Sequence, residues 1–161
     1  MKKKTNFVVL FMVVVMVITL VPLHAFAQNR APEFTLMDLQ GNTFKLKDYR
    51  MKTVLLIFGA TWCPSCRSEI PHFKEIFAKY NPRGLDVAYI NIEEPQDRVI
   101  RFSKKYQLPY RTLLDIKADV ANAYDIMGVP SMILLKEGKV VTRNYRLMDS
   151  YLDKLFSQSS R

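Results

Sequence analysis

Cysteine, histidine and glycine are scarce in this chain of 161 residues, and their scarcity removes several kinds of site. There are two cysteines, two histidines and five glycines. Five scattered glycines provide no glycine-rich loop of the kind that cradles a phosphate. So few thiols and imidazoles also leave little room for a metal centre built from them.

A concentrated basic region is missing as well, although the chain is basic. Lys and Arg number 24 against 15 Asp and Glu, which gives a formal net charge of +9. The basic residues are scattered among acids and form no block and no helix face interleaved with aromatics, so we expect no nucleic-acid partner. The apolar fraction of 49% and the length are typical of one globular domain with a core of its own.

The chain has one long apolar run, and it lies near the N-terminus. Three lysines at positions 2–4 precede it, and alanines at 25 and 27 follow it. This layout predicts a signal peptide over residues 1–27 and a single domain over 28–161. The alternative is an uncleaved membrane anchor, although a run of about 15 residues is short for a span of roughly 20. Export would place the cysteines in an oxidising compartment, and membrane association would require the uncleaved N-terminus.

Both cysteines belong to one short segment, residues 62–66, which reads Trp-Cys-Pro-Ser-Cys. An apolar run at 54–58 predicts a strand before it, and apolar spacing up to position 80 predicts a helix after it. Cys63 then falls near the helix N-cap, where unpaired N–H groups and the helix dipole favour a thiolate. Cys66 lies one turn deeper and fits a resolving role. Because a disulfide across so short a loop removes little chain entropy, the spacing favours a redox pair over a structural one.

Two further residues are candidates for this site on spacing alone. Glu69 follows Cys66 by three positions, so it projects from the same helical face. It is either a proton carrier for that sulfur or a solvent-facing acid. Pro130 opens a strand at 131–135 and is either a trans proline or a cis proline in a tight turn.

Other chemistry around the cysteines lacks a necessary residue. Arg67 follows Cys66 where a haem-attachment motif has histidine. With His24 in the expected signal peptide, Cys63, Cys66 and His72 are one ligand short of a structural zinc site. His72 lies six residues after Cys66 on the same predicted helix, so we interpret it as a surface histidine rather than a protease base.

The order of elements predicts an α/β domain with a mixed central sheet and helices on both faces. Alternation in the first half predicts parallel strands, and a late hairpin adds antiparallel ones. We expect a kink at Pro71, because proline interrupts the helix ladder. The predicted strands are 34–36, 43–46, 53–58, 85–92, 111–114, 131–135 and 140–145, and the predicted helices are 64–80, 95–106, 117–124 and 149–157.

Residues 60–71, together with the Gly-Val-Pro-Ser of 128–131, resemble the exported thioredoxin-like thiol-disulfide oxidoreductases of bacteria, including the reductases of cytochrome c maturation. The resemblance covers essentially all of residues 28–161. It implies a thioredoxin fold with an N-terminal β-hairpin extension. It also implies that Cys63 is the nucleophile, Cys66 the resolving thiol and Pro130 a cis proline facing the disulfide.

The resemblance carries expectations about roles and partners too. It implies that Glu69 is the acidic residue near the active site, and that no cofactor is needed besides the redox-active disulfide. The expected partners are client proteins with disulfides or thiols and a membrane thiol electron donor. The groove that receives a client is expected to consist of Trp62, Pro64, Ser65, Val129 and Pro130.

Two departures from the family pattern leave the direction of electron flow open. Ile57 stands where cytosolic thioredoxins have a buried aspartate, so proton transfer must use Glu69, water or the partner. Pro64 and Ser65 combine features of maturation reductases and of disulfide-forming proteins. The leading hypothesis is a dithiol reductase; the alternatives are a disulfide-forming oxidase or isomerase, and a non-catalytic binding module of the same fold.

Overall fold

The structure is a computed structural model that describes residues 29–143 and 148–157. The predicted signal peptide, residues 1–27, lies outside the described residues, and so does the end of the strand predicted over 140–145. Across the two described ranges, every helix is too short or too polar to span a membrane.

Within the described ranges seven strands form one mixed sheet, as the sequence predicts. They are β1 (Thr35–Asp38), β2 (Thr43–Lys45), β3 (Thr53–Gly59), β4 (Leu85–Ile92), β5 (Arg111–Asp115), β6 (Ser131–Lys136) and β7 (Lys139–Thr142). Their order across the sheet is β2-β1-β5-β4-β3-β6-β7. β3, β4 and β5 run parallel, whereas β6 lies antiparallel to β3 and β7 antiparallel to β6.

The N-terminal hairpin expected from the resemblance is present at one edge of the sheet. β1 pairs antiparallel with β2 and also with β5, so the hairpin extends the main sheet. Asp38, 2% exposed, closes the turn because its carboxylate accepts hydrogen bonds from the backbone N–H groups of Gln40 and Asn42. A short buried carboxylate that holds its own turn in this way is a common turn device.

Helices cover both faces because the central strand is apolar on both. From Val54 onward every residue of β3 is buried. Its alternate side chains enter two separate cores, one on each face of the sheet. The helices are α1 (Pro64–Ser68), α2 (Ile70–Tyr80), α3 (Gln96–Tyr106), α4 (Asp119–Ala123) and α5 (Met148–Ser157).

The prediction of one kinked helix over 64–80 is wrong, because the chain forms two helices that meet at Glu69. α1 ends at Ser68, and α2 begins at Ile70 with Pro71 in its first turn. Pro71 has no N–H to give to the carbonyl four residues earlier, so the first helix cannot continue through it. In the first turn of a new helix the missing N–H costs little.

Candidate active site

The two cysteines lie at the carboxyl end of β3 and form a disulfide. Cys63 is the N-cap of α1 and Pro64 its first residue, as predicted. The Cys63 sulfur accepts a hydrogen bond from the Cys66 N–H at 3.0 Å. A backbone donor aimed at that sulfur would favour its thiolate form after reduction.

The disulfide is shielded from solvent on most sides. Cys63 is 3% exposed and Cys66 fully buried, which agrees with the deeper position predicted for Cys66. Both pack against Ala60 and Val129. The sulfur of Cys63 lies 3.5 Å from the carbonyl oxygen of Val129. Val129 therefore brings the segment before β6 into direct contact with the redox pair.

The peptide bond between Val129 and Pro130 is cis, which confirms the geometry implied by the resemblance. The Ser131 hydroxyl donates a 2.6 Å hydrogen bond to the carbonyl of Gly128 across this turn. Cys63 and Val129 are 66 positions apart in sequence, and the pairing of β3 with β6 brings them together.

Apolar side chains are exposed around the disulfide segment. Trp62 is 62% exposed and Met127 is 96% exposed. Of the other residues expected in the groove, Pro64 and Ser65 are exposed and Pro130 is partly buried. Met127, which directly precedes Gly-Val-Pro in the chain, was not among the residues expected in the groove.

Glu69 lies at the junction of α1 and α2, and one third of its side chain is exposed. Its Oε2 is 3.4 Å from Nδ1 of His72. His72 Nε2 in turn lies 3.0 Å from a carboxylate oxygen of Asp149, at the start of α5. The predicted surface histidine therefore joins two acids on neighbouring helices.

A second carboxylate, which sequence patterns did not single out, is hydrogen-bonded to the segment just before the disulfide. Glu94 is 3% exposed and follows the end of β4. It accepts hydrogen bonds from both the N–H and the hydroxyl of Thr61, two positions before Cys63. Two adjacent acids between a buried strand and a proline were the available signal. By contrast, Ile57, at the position where cytosolic thioredoxins have a buried aspartate, is fully buried in an apolar core.

Metal binding finds no support in the described ranges. Within residues 29–143 and 148–157, no group of three or more His, Cys, Asp or Glu side chains is arranged to hold an ion.

Comparison with known proteins agrees with this architecture. The model of the AhpC/TSA family matches residues 27–146. The thiol-disulfide oxidoreductase ResA of Geobacillus thermodenitrificans (strain NG80-2) is 36% identical over 113 residues, which cover 70% of this chain and 65% of the relative. The protein of the same name from Bacillus thuringiensis subsp. konkukian is 30% identical over 133 residues, which cover 79% of this chain and 77% of the relative.

Among solved structures, the thioredoxin domain of a thiol-disulfide oxidoreductase from Bacteroides vulgatus matches with a TM-score of 0.67 and 25% identity, covering 76% of this chain and 95% of that domain. The mixed sheet and the disulfide at a helix N-terminus thus define a thioredoxin-fold protein. The chain belongs to the AhpC/TSA family. It spans 65% of the length of the Geobacillus relatives it matches.

Proposed function

We propose that this chain is a thiol-disulfide oxidoreductase that works outside the cytoplasm as a dithiol reductase of client proteins. The observation that carries the proposal is the Cys63–Cys66 disulfide at the first turn of α1. A pair placed there can be opened and closed repeatedly without refolding the domain. The two relatives described above are thiol-disulfide oxidoreductases, which supports the same reaction here.

The reaction is a pair of thiol–disulfide exchanges. In the reduced protein the Cys63 thiolate attacks one sulfur of a client disulfide, so a mixed disulfide forms and the client sulfur–sulfur bond breaks. The Cys66 thiol then loses its proton and attacks the Cys63 sulfur. The protein disulfide forms, and the client leaves with both sulfurs as thiols after taking up two protons. Two electrons move from the protein to the client.

Three features of the site serve these steps. Glu69, at the helix junction three positions after Cys66, accepts the proton that Cys66 must lose, and His72 Nδ1 lies 3.4 Å from its carboxylate. Trp62, Pro64, Ser65, Val129 and Pro130 form the groove that receives the client segment. The disulfide itself is the only redox group that the proposed reaction needs, so no further cofactor is required.

Export and a role in cytochrome c maturation are the finer parts of the proposal. Export rests on the signal-peptide layout of residues 1–27. A reductase in an oxidising compartment must be re-reduced, and a membrane protein with a thiol pair is the donor we propose. The maturation role rests on the family resemblance of residues 60–71. N-terminal sequencing of the secreted or membrane fraction would test the cleavage after residue 27.

A redox titration of the purified protein against glutathione tests the reaction and its direction. We expect a reversible two-electron couple with a potential well below that of a strong oxidant. A midpoint potential of about −120 mV would overturn the reductase hypothesis and favour the disulfide-forming alternative. If the pair failed to cycle at all, the non-catalytic binding module would be the better reading.

Clients are identified by trapping. The Cys66→Ala variant keeps the nucleophile but cannot resolve the mixed disulfide, so it should accumulate client adducts that a reductant releases. Cys63→Ala is the matched control, since it keeps the buried thiol and lacks the attacking one. Equal adducts with both variants would contradict the assignment of Cys63 as nucleophile.

A further inference from the structure

Glu94 is a charged group in an unusual place. It lies directly after β4, where Glu93 adopts a left-handed backbone conformation (φ 55°) and turns the chain. The Glu94 side chain ends up 3% exposed, whereas Glu93 is exposed. Burying a carboxylate is costly unless hydrogen bonds and charges compensate it, so a buried acid needs partners.

Every contact that the structure gives this carboxyl group is with a donor. Oε2 accepts the Thr61 N–H at 2.6 Å and the Asn91 side-chain amide at 3.0 Å. Oε1 accepts the Thr61 hydroxyl and lies 3.6 Å from the Arg98 guanidinium. Donors alone around both oxygens are the environment of an ionised carboxylate rather than of a protonated acid.

Those contacts hold the loop that carries the nucleophile. The Thr61 carbonyl accepts a 3.1 Å hydrogen bond from Arg67 on α1, so Thr61 is fastened on one side to Glu94 and on the other to Arg67. Within the same loop the Cys63 N–H donates to the Ala60 carbonyl at 3.3 Å. Glu94 thereby determines where the chain enters α1 and where Cys63 lies at its N-cap.

We propose that Glu94 is a positioning residue for the redox loop and that its buried negative charge holds the potential of the Cys63–Cys66 pair low. This inference rests on the proposed function and assigns regulation of the same site. The charge opposes thiolate formation at Cys63, and a less stable reduced form makes the pair a better reductant.

The charges around Glu94 are consistent with a lowered redox potential of the Cys63–Cys66 pair. The charged and titratable groups facing Glu94 and its loop are Arg98 on α3, Arg67 on α1 and Tyr89 on β4. Burial first, and then the nearby Tyr110 and Glu94, raise the pKa of Tyr89 well above its ordinary value. A second anion close to Glu94 is therefore disfavoured. The Arg98 side chain is 56% exposed, so solvent weakens its compensation.

The test compares the redox potentials and the thiol titrations of single variants made in the full chain. Glu94→Gln keeps a side chain that can accept one Thr61 hydrogen bond and removes the charge. We expect the equilibrium with glutathione to shift about tenfold toward the reduced form, close to 30 mV. The pH at which Cys63 is half-alkylated by iodoacetamide should fall. Glu93→Gln, one position away and exposed, is the matched control and should change neither quantity.

Arg98→Gln keeps the proposal testable if Glu94→Gln fails to fold. It removes an exposed counter-charge 3.6 Å from Glu94 and leaves the carboxylate in place. The shift should be smaller, about twofold to threefold, and of opposite sign, because the negative charge is then less compensated.

The outcomes separate this inference from the proposed function. Suppose the wild-type pair cycles but Glu94→Gln keeps the wild-type potential and pH profile. Glu94 is then a structural anchor only, and the inference is overturned. If Glu94→Gln does not fold, the same result with Arg98→Gln overturns it. An equal shift in Glu93→Gln would also overturn it, since the effect would then be general surface charge. A wild-type pair that does not cycle overturns both proposals.

Discussion

Two carboxylates are linked to the segment that carries the disulfide, Glu69 three positions after Cys66 and Glu94 through Thr61, and they differ in exposure and in hydrogen bonding. Glu69 lies on the helical side, one third exposed, beside His72 and close to solvent. Glu94 lies on the sheet side, buried, with both oxygens hydrogen-bonded. A partly exposed acid can exchange protons with water, whereas a buried ionised one is a fixed charge. We therefore expect Glu69 to transfer protons, and Glu94 to set the position of the Cys63 loop and the redox potential of the disulfide.

The largest effect is expected on the free energy of unfolding when Gly59, the last residue of β3 on the sheet side, is replaced. A Cβ at this position would overlap the hydroxyl and ring of Tyr89, closer than side chains pack in folded proteins. We expect Gly59→Ala to lower the free energy of unfolding by about 1–3 kcal/mol, the usual cost of overpacking. Denaturant titration of the oxidised protein measures it.

Gly128 provides the control for that prediction. No atom lies within 4 Å of the Cβ that alanine would add there. Gly128→Ala should therefore stay within about 0.5 kcal/mol of the wild type. Equal destabilisation by the two variants would mean that tight packing behind the disulfide is not what Gly59 provides.

On the helical side, Glu69→Gln removes the proposed proton acceptor. We expect the resolution of a mixed disulfide by Cys66 to slow about tenfold at neutral pH. This is less than the usual gain from a positioned acid or base, because one third of the Glu69 side chain is exposed. The pH dependence of resolution should move to higher pH. Stopped-flow fluorescence with a model disulfide measures both.

The matched control for Glu69 is Glu75→Gln, which removes an exposed acid farther along α2. It should leave the rate and its pH profile near wild type. If the pH dependence of resolution in Glu69→Gln were unchanged from neutral to alkaline pH, Glu69 would not be the proton acceptor.

A smaller effect on the sheet side involves Tyr110, which packs beside Tyr89. Burial raises the pKa of Tyr110 above its ordinary value, and its hydroxyl has no hydrogen-bond partner within the described residues. Because the folded pKa is the higher one, this contribution to stability is complete below about pH 10 and is lost as the pH rises further.

Tyr110→Phe should therefore stabilise the protein by up to about 1 kcal/mol at pH 7, since it removes an unpaired buried hydroxyl. Its advantage should grow above about pH 10. Tyr151→Phe, on the more exposed face of α5, is the control. Identical alkaline unfolding of the wild type and Tyr110→Phe would contradict the prediction.

The smallest effect is expected on the helical surface, where Asp153 of α5 accepts hydrogen bonds from Lys79 and Tyr80 of α2. The Lys79 bond first, and then the Tyr80 bond, lower the pKa of Asp153 below its ordinary value. The resulting stability is present above about pH 4 and is lost as the pH falls through the folded pKa.

Asp153→Asn should lower the melting temperature slightly at pH 7 and leave it unchanged near pH 2. Thermal unfolding by circular dichroism at both pH values measures the difference. Asp48→Asn, an exposed carboxylate elsewhere on the surface, serves as the control. A loss that persists at low pH would show that the Asp153 charge is not its cause.

Elements with a strong local pattern were predictable. β3 is a continuous apolar run and β4 is mostly apolar, and the structure places both at the centre of the sheet. The position of the redox pair at a helix N-terminus was equally predictable, because capping depends on the local order of Cys63, Pro64 and Cys66. The resemblance added the cis peptide at Pro130, which spacing alone left open.

The misses share a physical cause. The break at Glu69 depends on whether the chain bends or restarts around Pro71, and tertiary packing decides between the two. Glu94 reads in sequence as one of two adjacent acids between a strand and a proline. Its burial appears only when Thr61, 33 positions earlier, comes within hydrogen-bond distance.

The order of residues by itself determined that two sulfurs stand at the mouth of a helix, because capping and helical spacing act over four or five positions. Only the tertiary structure decided what surrounds them. The pairing of β3 with β4 and β6 brings Glu94 and Val129 to the same pair from distant parts of the chain. Charge and exposure at a site depend on such distant neighbours, since electrostatic and packing forces follow distance in space.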